Sequence, residues 1–284
     1  GLYHPFLLTM LTVDLTAAPL LLFLSPTVVY NLHILLGLVM CGLSAYWFID
    51  EVTGARHGAL VGGFVFAFCS NRMGHVIGAH LPHTLAYWIP FFGLLLWRLI
   101  WNPTWRRTLI TGLILVPTSL VHPIHVVYFL VPMTGAILVY CLSVLGTEFF
   151  SGRRMMSLAL AFALGALVVL PIAWPSVSGQ LEKGHLDSRG TVGYSADLLA
   201  IVTPSRDHPV LKETGLLPPS MERTFSLESL AFLGVLTPVL ACWGLRRCWN
   251  QAWVWGGLAG ICLVLSLGPI LKIGGQLVTY SVDG

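Results

Sequence analysis

Along this chain, long runs of apolar residues are separated by short polar segments. The runs do not alternate apolar and polar positions with a period of two, as barrel strands do, so they predict helices. Nine of them approach the roughly 20 residues that a helix needs to cross a bilayer. They are Phe6–Leu24, Val28–Ile49, His57–Ser70, Thr84–Trp101, Thr108–Val121, Val126–Leu145, Met156–Trp174, Leu230–Leu245 and Trp253–Leu271. Because the first run contains Asp14, the pattern predicts an all-α, polytopic transmembrane bundle with eight or nine membrane spans.

Composition points to the same class of protein. Of the 284 residues, 56% are hydrophobic and 10% are charged, whereas about 25% of residues are charged in a typical soluble domain. These values exclude a disordered chain, a coiled coil and an ordinary soluble enzyme. The net charge is +3 and no basic run is longer than two residues, so nucleic acid is not an expected partner. Because the chain begins with Gly1 in an apolar stretch, we expect an internal portion of a longer protein, with sequence missing at both ends.

Positive charges mark one side of the predicted bundle. If the nine spans alternate in direction, one side receives eight of the fifteen Lys and Arg residues. All eight lie in or beside short turns: Arg56, Arg98, Arg106, Arg107, Arg153, Arg154, Arg246 and Arg247. Short cytoplasmic loops carry an excess of such residues, so this side is predicted to be cytoplasmic.

The same alternation divides the chain into three parts. Residues 1–174 are predicted to form an N-terminal bundle of about seven spans. Residues 175–229 form a long extracytoplasmic loop, and residues 230–284 form a C-terminal transmembrane hairpin that we expect to continue beyond the chain end. Loops of this length are uncommon unless they are functional or disordered. This one contains an amphipathic segment, Tyr194–Val202, so it is predicted to carry short helices.

Histidines collect on the predicted outer side. Two pairs have a spacing of three residues, which places side chains on one helix face: His80 with His83, and His122 with His125. Neutral imidazoles are ligands of zinc, copper or iron, so these four residues are candidate metal ligands. The alternative is that they line a polar cleft at the membrane interface, because each pair encloses a proline that disturbs helical geometry. The outer side holds seven of the ten histidines: His75, His80, His83, His122, His125, His185 and His208.

A second group of candidate residues follows the third predicted span. The guanidinium of Arg72 and the imidazoles of His75 and His80 lie close in sequence where that span meets the outer surface. Arginine presents a planar fork of donors that suits phosphate. The segment therefore predicts capture of the phosphate or pyrophosphate of an amphiphile; the alternative is an arginine that binds lipid headgroups. Arg206 and His208, in the long loop, are candidates for the same role.

Short motifs in a fixed order carry a resemblance that covers most of the chain. They are Tyr30-Asn31, Gly42-x3-Tyr46, Thr53-Gly54, Ala59-Leu60-x-Gly62-x2-Val65-Phe66-Ala67-Phe68, Asn71-Arg72-x2-His75, Gly78-x-His80, Trp88-x-Pro90, Tyr194-Ser195-Ala196-Asp197-Leu198-Leu199, Pro204 with His208-Pro209, and Leu267-Gly268-Pro269. In this order they make the chain similar to bacterial polytopic membrane proteins of the GT-C type, which are known or proposed glycosyltransferases that use lipid-linked sugars. The sequence has no GxGxxG, Walker A, HExxH or GxSxG motif, so nothing favours a nucleotide-binding fold or a hydrolase triad.

The resemblance implies an extracytoplasmic active site in a multi-pass protein of the bacterial inner membrane, where a polyprenyl-phosphate sugar approaches from the membrane. It also implies acidic residues that act as base or as ligands of a divalent metal ion, Mg²⁺ or Mn²⁺. In the family these acids usually lie in the first outer loop, upstream of where this chain begins, and no acidic pair here matches them. Asp197 and Asp207 are the candidate catalytic carboxylates of this chain, and Arg72 and Arg206 would neutralise the leaving phosphate.

Two other functions stay open at the level of sequence. The chain could be a non-catalytic membrane subunit of a larger complex, because it lacks the acidic pair and its many aromatic residues could face protein partners. It could instead be a membrane protein that binds a metal or cofactor through its histidines. The expected partners are therefore membrane lipids, a lipid-linked sugar donor and other membrane proteins.

Overall fold

The computed structural model describes residues 11–122, 125–183, 195–204, 232–268, 270–274 and 276–278. This part of the chain is mostly helical, which confirms the predicted helical class. The first seven α-helices are α1 (Leu11–Leu21), α2 (Pro26–Thr53), α3 (Arg56–Phe68), α4 (Ser70–Ile77), α5 (Leu81–Thr84), α6 (Trp88–Trp101) and α7 (Trp105–Ser119). A π-helix (Val126–Leu130), α8 (Val131–Leu145), a 3₁₀-helix (Gly146–Phe150), α9 (Gly152–Lys183), a second 3₁₀-helix (Leu198–Ile201), α10 (Leu236–Arg247) and α11 (Trp249–Ser266) follow. Two short strands, β1 (Lys272–Ile273) and β2 (Gln276–Leu277), pair antiparallel.

Five helical segments in the described residues are long and apolar enough to cross a membrane. They are Pro26–Thr53, Arg56–Ile77, Leu81–Trp101, Val126–Phe150 and Gly152–Pro175. The remaining predicted spans coincide with shorter helices, α1, α7, α10 and α11. A helical membrane protein is thus supported by length and composition, whereas the count of eight or nine spans stays a prediction.

The ends of α2 and α7 follow from local sequence. Pro26 opens α2, where its missing N–H removes no helical hydrogen bond. Gly54 ends α2 in the left-handed conformation, with φ at 66°, and its N–H donates to the carbonyl of Asp50. The side chain of Thr104 accepts a hydrogen bond from the backbone N–H of Arg107 and so caps the start of α7.

The chain folds as two compact units. The first comprises Gly1–Ala67 and Leu81–His185, and the second comprises Phe68–His80 and Leu186–Gly284. Most of α1–α3 and all of α5–α9 therefore belong to the first unit, and α4, α10, α11 and the strand pair belong to the second. The boundaries predicted from sequence at residues 174 and 229 are not tested by this division and stay predictions.

Small residues let the helices of the first unit approach closely. A Cβ atom added at Gly63 of α3 would lie 2.6 Å from the carbonyl oxygen of Gly42 in α2. A Cβ added at Gly112 of α7 would lie 2.8 Å from the carbonyl oxygen of Ala161 in α9. Because lipid is as apolar as a leucine side chain, helices in a membrane associate through such close contacts rather than through hydrophobic burial.

Arginine side chains join the helix ends at one end of the first unit. The Nε atom of Arg98, near the end of α6, donates to a carboxylate oxygen of Glu51, near the end of α2, at 2.8 Å. The guanidinium of Arg107 donates to the backbone carbonyls of Arg98 at 2.9 Å and Asn102 at 3.0 Å. The bond to Asn102 gives a donor to a carbonyl at the end of α6, and the bond to Arg98 adds to the one that its carbonyl accepts from the N–H of Asn102.

Arg154, at the start of α9, makes bonds of the same kind. Its Nε atom donates to the carbonyl of Ile100 at 2.7 Å, and its Nη1 atom donates to the carbonyl of Glu148. Three of the turns predicted to share one side of the bundle therefore meet at one end of the first unit. We call this end, which carries Glu51, Arg98, Arg107 and Arg154, the arginine end.

The opposite end of the first unit carries histidines. Helix α7 rises about 22 Å over its length and reaches the beginning of α6, where the hydroxyl of Thr118 donates to the carbonyl of Trp88 at 3.4 Å. His83 of α5, His122 and His125 lie there. We call this the histidine end. Deeper in the unit, His33 is buried and its ring nitrogens lie 2.9 Å from the carbonyl oxygen of Val29 and 3.1 Å from the hydroxyl of Thr16 in α1.

We predict that Gly112→Ala destabilises the protein by about 1–3 kcal/mol, because the added methyl group meets a carbonyl oxygen of α9. The matched control is Gly135→Ala in α8, where an added Cβ meets nothing within 4 Å; it should be neutral or stabilising by up to about 1 kcal/mol, because alanine is the better helix former. The measurement is thermal unfolding of the purified protein in detergent. Equal melting temperatures for the two variants would contradict close packing of α7 on α9.

Candidate functional site

Three histidines form one cluster at the histidine end. The Nε2 atom of His125 lies 3.3 Å from Nδ1 of His83, and the ring of His122 lies 5.2 Å from that of His83 and 5.9 Å from that of His125. His125 is fully buried, and the π-helix Val126–Leu130 begins directly after it. Single turns of π-helix occur often at functional sites. One member of the first predicted pair, His83, thus meets both members of the second pair, His122 and His125.

The fourth candidate metal ligand, His80, belongs to the second unit. In the described residues, no group of three or more histidine, cysteine or acidic side chains has a geometry that could hold a metal ion. Burial lowers the pKa of His122 below its ordinary value. The cluster therefore favours a neutral His122 beside the hydrogen-bonded pair of His83 and His125.

A cationic segment in the second unit contains Arg72, His75 and His80. Arg72 and His75 are three residues apart on α4, so they share a face of that helix. Arg72 is only 7% exposed. The Nδ1 atoms of His75 and His80 lie 3.2 Å apart, which requires that one ring donates its N–H and the other accepts. The structure thus brings together the three residues that the sequence grouped as a phosphate site.

A left-handed turn places His80 beside His75. Helix α4 ends at Ile77, and Ala79 has a φ of 58°, a conformation that is uncommon for a residue with a side chain. The backbone N–H of His80 then donates to the carbonyl of His75 at 2.9 Å. Residues held in sparsely populated conformations concentrate at functional sites, so this turn supports the grouping of the two imidazoles.

Asp197 is buried and holds the second unit together. Its Oδ1 atom accepts hydrogen bonds from the backbone N–H groups of Leu199 at 2.8 Å and Gly274 at 3.0 Å. Its backbone pairs with that of Lys272, whose Nζ atom donates to the carbonyl of Ser195 at 3.3 Å. The carboxylate therefore joins the start of a 3₁₀-helix to the β1–β2 turn. Three of the predicted site residues, Arg206, Asp207 and His208, lie outside the described residues.

Residues 15–283 match the model of one protein family, described as a domain of unknown function (DUF6311). The chain belongs to this family. A search of curated proteins and a search of solved structures find no significant match to the chain. The family match therefore covers nearly the whole chain, and the description of the family states no activity.

Sequence reasoning missed two features of this DUF6311 domain. These are the bond from Lys272 to the carbonyl of Ser195 and the strand pair that contains Lys272. The motif Leu267-Gly268-Pro269, just before it, was the available signal that this segment has a fixed backbone: Gly268 has a φ of 68° and lies against Ser195. A side chain at position 268 would collide with Ser195, so the glycine is needed there.

The lowered pKa of His122 predicts a pH dependence of stability. As the pH falls below about 6.5, the unfolded DUF6311 domain takes up a proton at this residue more readily than the folded domain does, so the free energy of unfolding falls. We expect the melting temperature to drop between about pH 7.5 and about pH 5.5, and to drop less in His122→Gln. His57→Gln, at an exposed histidine, should behave as the wild type. The same drop in His122→Gln as in the wild type would contradict the prediction.

Proposed function

We propose that this DUF6311 domain is part of a GT-C-like membrane glycosyltransferase. In this proposal a sugar moves from a polyprenyl-phosphate donor to an acceptor on the extracytoplasmic side of the bacterial inner membrane. The observation that carries the proposal is the buried guanidinium of Arg72, followed by the half-buried, paired imidazoles of His75 and His80. Arg72 and His75 lie within Arg56–Ile77, a segment long and apolar enough to cross a membrane. A charged group in such a place is costly and calls for a functional explanation.

The membrane orientation rests on the arginine end. Arg98, Arg106, Arg107, Arg153 and Arg154 lie in its turns, and short turns rich in arginine favour the cytoplasmic side. Arg56 begins a candidate span that ends at Ile77, so Arg72 and His75 belong to the part of that span farther from the arginine-rich turns. We therefore place them toward the extracytoplasmic side, within a topology of eight or nine spans and a long outer loop.

The guanidinium of Arg72 would bind the phosphate of the donor. As the bond between the anomeric carbon and the phosphate oxygen breaks, negative charge grows on that oxygen, and a fixed cation stabilises it. In the neutral His75–His80 pair, the ring that accepts at Nδ1 carries its proton on Nε2, and this N–H can turn toward the same phosphate. The leaving group is the polyprenyl phosphate, whose tail stays in the lipid.

A carboxylate must take the proton from the acceptor hydroxyl as the new glycosidic bond forms. Asp197 fits a positioning role better than this one, since its Oδ1 atom already binds two backbone N–H groups in a buried place. Asp207 is the other candidate for the base. The described residues do not supply ligands that fit Mg²⁺ or Mn²⁺, so the proposal assigns the neutralisation of charge to Arg72.

The test uses the full-length protein in proteoliposomes with a radiolabelled polyprenyl-phosphate sugar. We expect transfer of label to an acceptor fraction, and we expect Arg72→Gln to lower the rate by about a hundredfold, the loss typical of one removed charge-stabilising donor. Arg56→Gln is the matched control, because Arg56 is an exposed arginine at the start of the same candidate span; its rate should be unchanged. Arg72→Lys should recover part of the rate, because it restores the charge without the planar fork.

Two results would count against the proposal. The first is the absence of transfer from any polyprenyl-phosphate sugar by a folded, full-length protein. The second is an Arg72→Gln variant that transfers sugar as fast as the wild type, since the proposed phosphate contact would then have no role.

A further inference from the structure

Two adjoining cavities lie at the turn between α10 and α11, within the second unit. The first has a volume of about 340 Å³ and is polar; it is lined by Arg246, Arg247, Cys248, Trp249, Asn250 and Gln251. The second has a volume of about 430 Å³ and is apolar; it is lined by Pro238, Val239, Cys242, Trp243 and Arg246. Arg246 lines both, so the polar cavity and the apolar groove adjoin at this residue.

The polar cavity has the chemistry of an anion site. Two guanidinium groups and two side-chain amides line it, and its lining contains no carboxylate. The guanidinium carbon of Arg247 lies 5.9 Å from the ring centre of Trp243, a cation–π distance that restricts its motion. The 18-residue helix α11 begins at this cavity, so its positive dipole end adds to the same field.

The apolar groove follows one stripe of α10. Its lining positions recur at the spacing of three and four residues that defines one face of a helix, and the stripe ends at Arg246. In the described structure no residue of α10 is buried, and Val239 and Trp243 are strongly exposed. If α10 lies in a membrane, this stripe faces lipid tails.

These features together select one kind of occupant. Arginines at a helix C-terminus also stabilise the helix dipole, but that role needs neither the amides of the turn nor the groove beside it. A free phosphate would use the polar cavity alone, and a neutral lipid would use the groove alone. A molecule with a negative headgroup and an apolar tail uses both.

We propose that the α10–α11 turn is a binding site for one anionic phospholipid. The phosphate lies between Arg246 and Arg247, with Asn250 and Gln251 donating to its headgroup, and an acyl chain follows the stripe of α10 toward Pro238. Short turns rich in arginine favour the cytoplasmic side of a membrane, so we assign the lipid to the cytoplasmic leaflet. The site is separate from the proposed phosphate contact at Arg72 and does not depend on it.

Native mass spectrometry of the full-length protein tests the headgroup contact. Detergent-purified protein is mixed with equal amounts of phosphatidylglycerol and phosphatidylcholine, and the retained lipids are counted. We expect a preference for phosphatidylglycerol that falls by about tenfold or more in the double variant Arg246→Gln/Arg247→Gln, as expected for the loss of two charge-assisted contacts. The matched control is Arg106→Gln/Arg153→Gln, which removes two exposed arginines from other turns and should keep the preference.

A second pair of variants tests the groove with the charges intact. Val239→Trp fills the groove and should lower retention of phosphatidylglycerol several-fold. Leu240→Trp, at an exposed neighbour that does not line the groove, should not. Glycerol phosphate at equal concentration should fail to displace the lipid, because it has no tail.

Three outcomes would overturn the proposal. They are a wild type that shows no preference for the anionic lipid, a double arginine variant that retains the preference, and displacement of the lipid by glycerol phosphate at equal concentration. The last outcome would mean that the turn binds free anions only.

Discussion

The bonds between arginine side chains and helix ends at the arginine end are the interaction on which the rest of the structure depends. The last carbonyl groups of a helix have no partner within that helix and need other donors. Arg107 donates to the carbonyl of Asn102 and Arg154 to that of Ile100, both at the end of α6, and Arg98 pairs with Glu51 across two helices. These bonds hold the three arginines at one end of the first unit, opposite the end that carries the histidines.

At the histidine end, polar side chains contact one another within an otherwise apolar bundle. His83, His122 and His125 lie against one another, and the buried ring of His125 precedes a π-helical turn. In the second unit, Arg72 is buried on α4 and is followed by paired imidazoles. The second of these groups is the one on which the proposed phosphate contact rests.

Apolar run length predicted where helices form, because burial in lipid and helix geometry act on the same stretch of about 20 residues. The turns around Arg98, Arg107 and Arg154 were likewise predicted to share a side, and these residues do so in the first unit. The direct contact between the rings of His75 and His80 was not predictable, since it depends on the left-handed Ala79. Nor was the role of Asp197, whose partner Gly274 lies 77 residues away.

Cysteine labelling in intact bacterial cells tests the orientation most directly. The six native cysteines are first replaced, and then Ser25→Cys, at the exposed start of α2, and Arg153→Cys, at the arginine end, are introduced separately. A membrane-impermeant maleimide should label position 25 in intact cells and position 153 only after permeabilisation. Labelling of both positions in intact cells, or of position 153 alone, would contradict a cytoplasmic arginine end and remove the basis for an outer site.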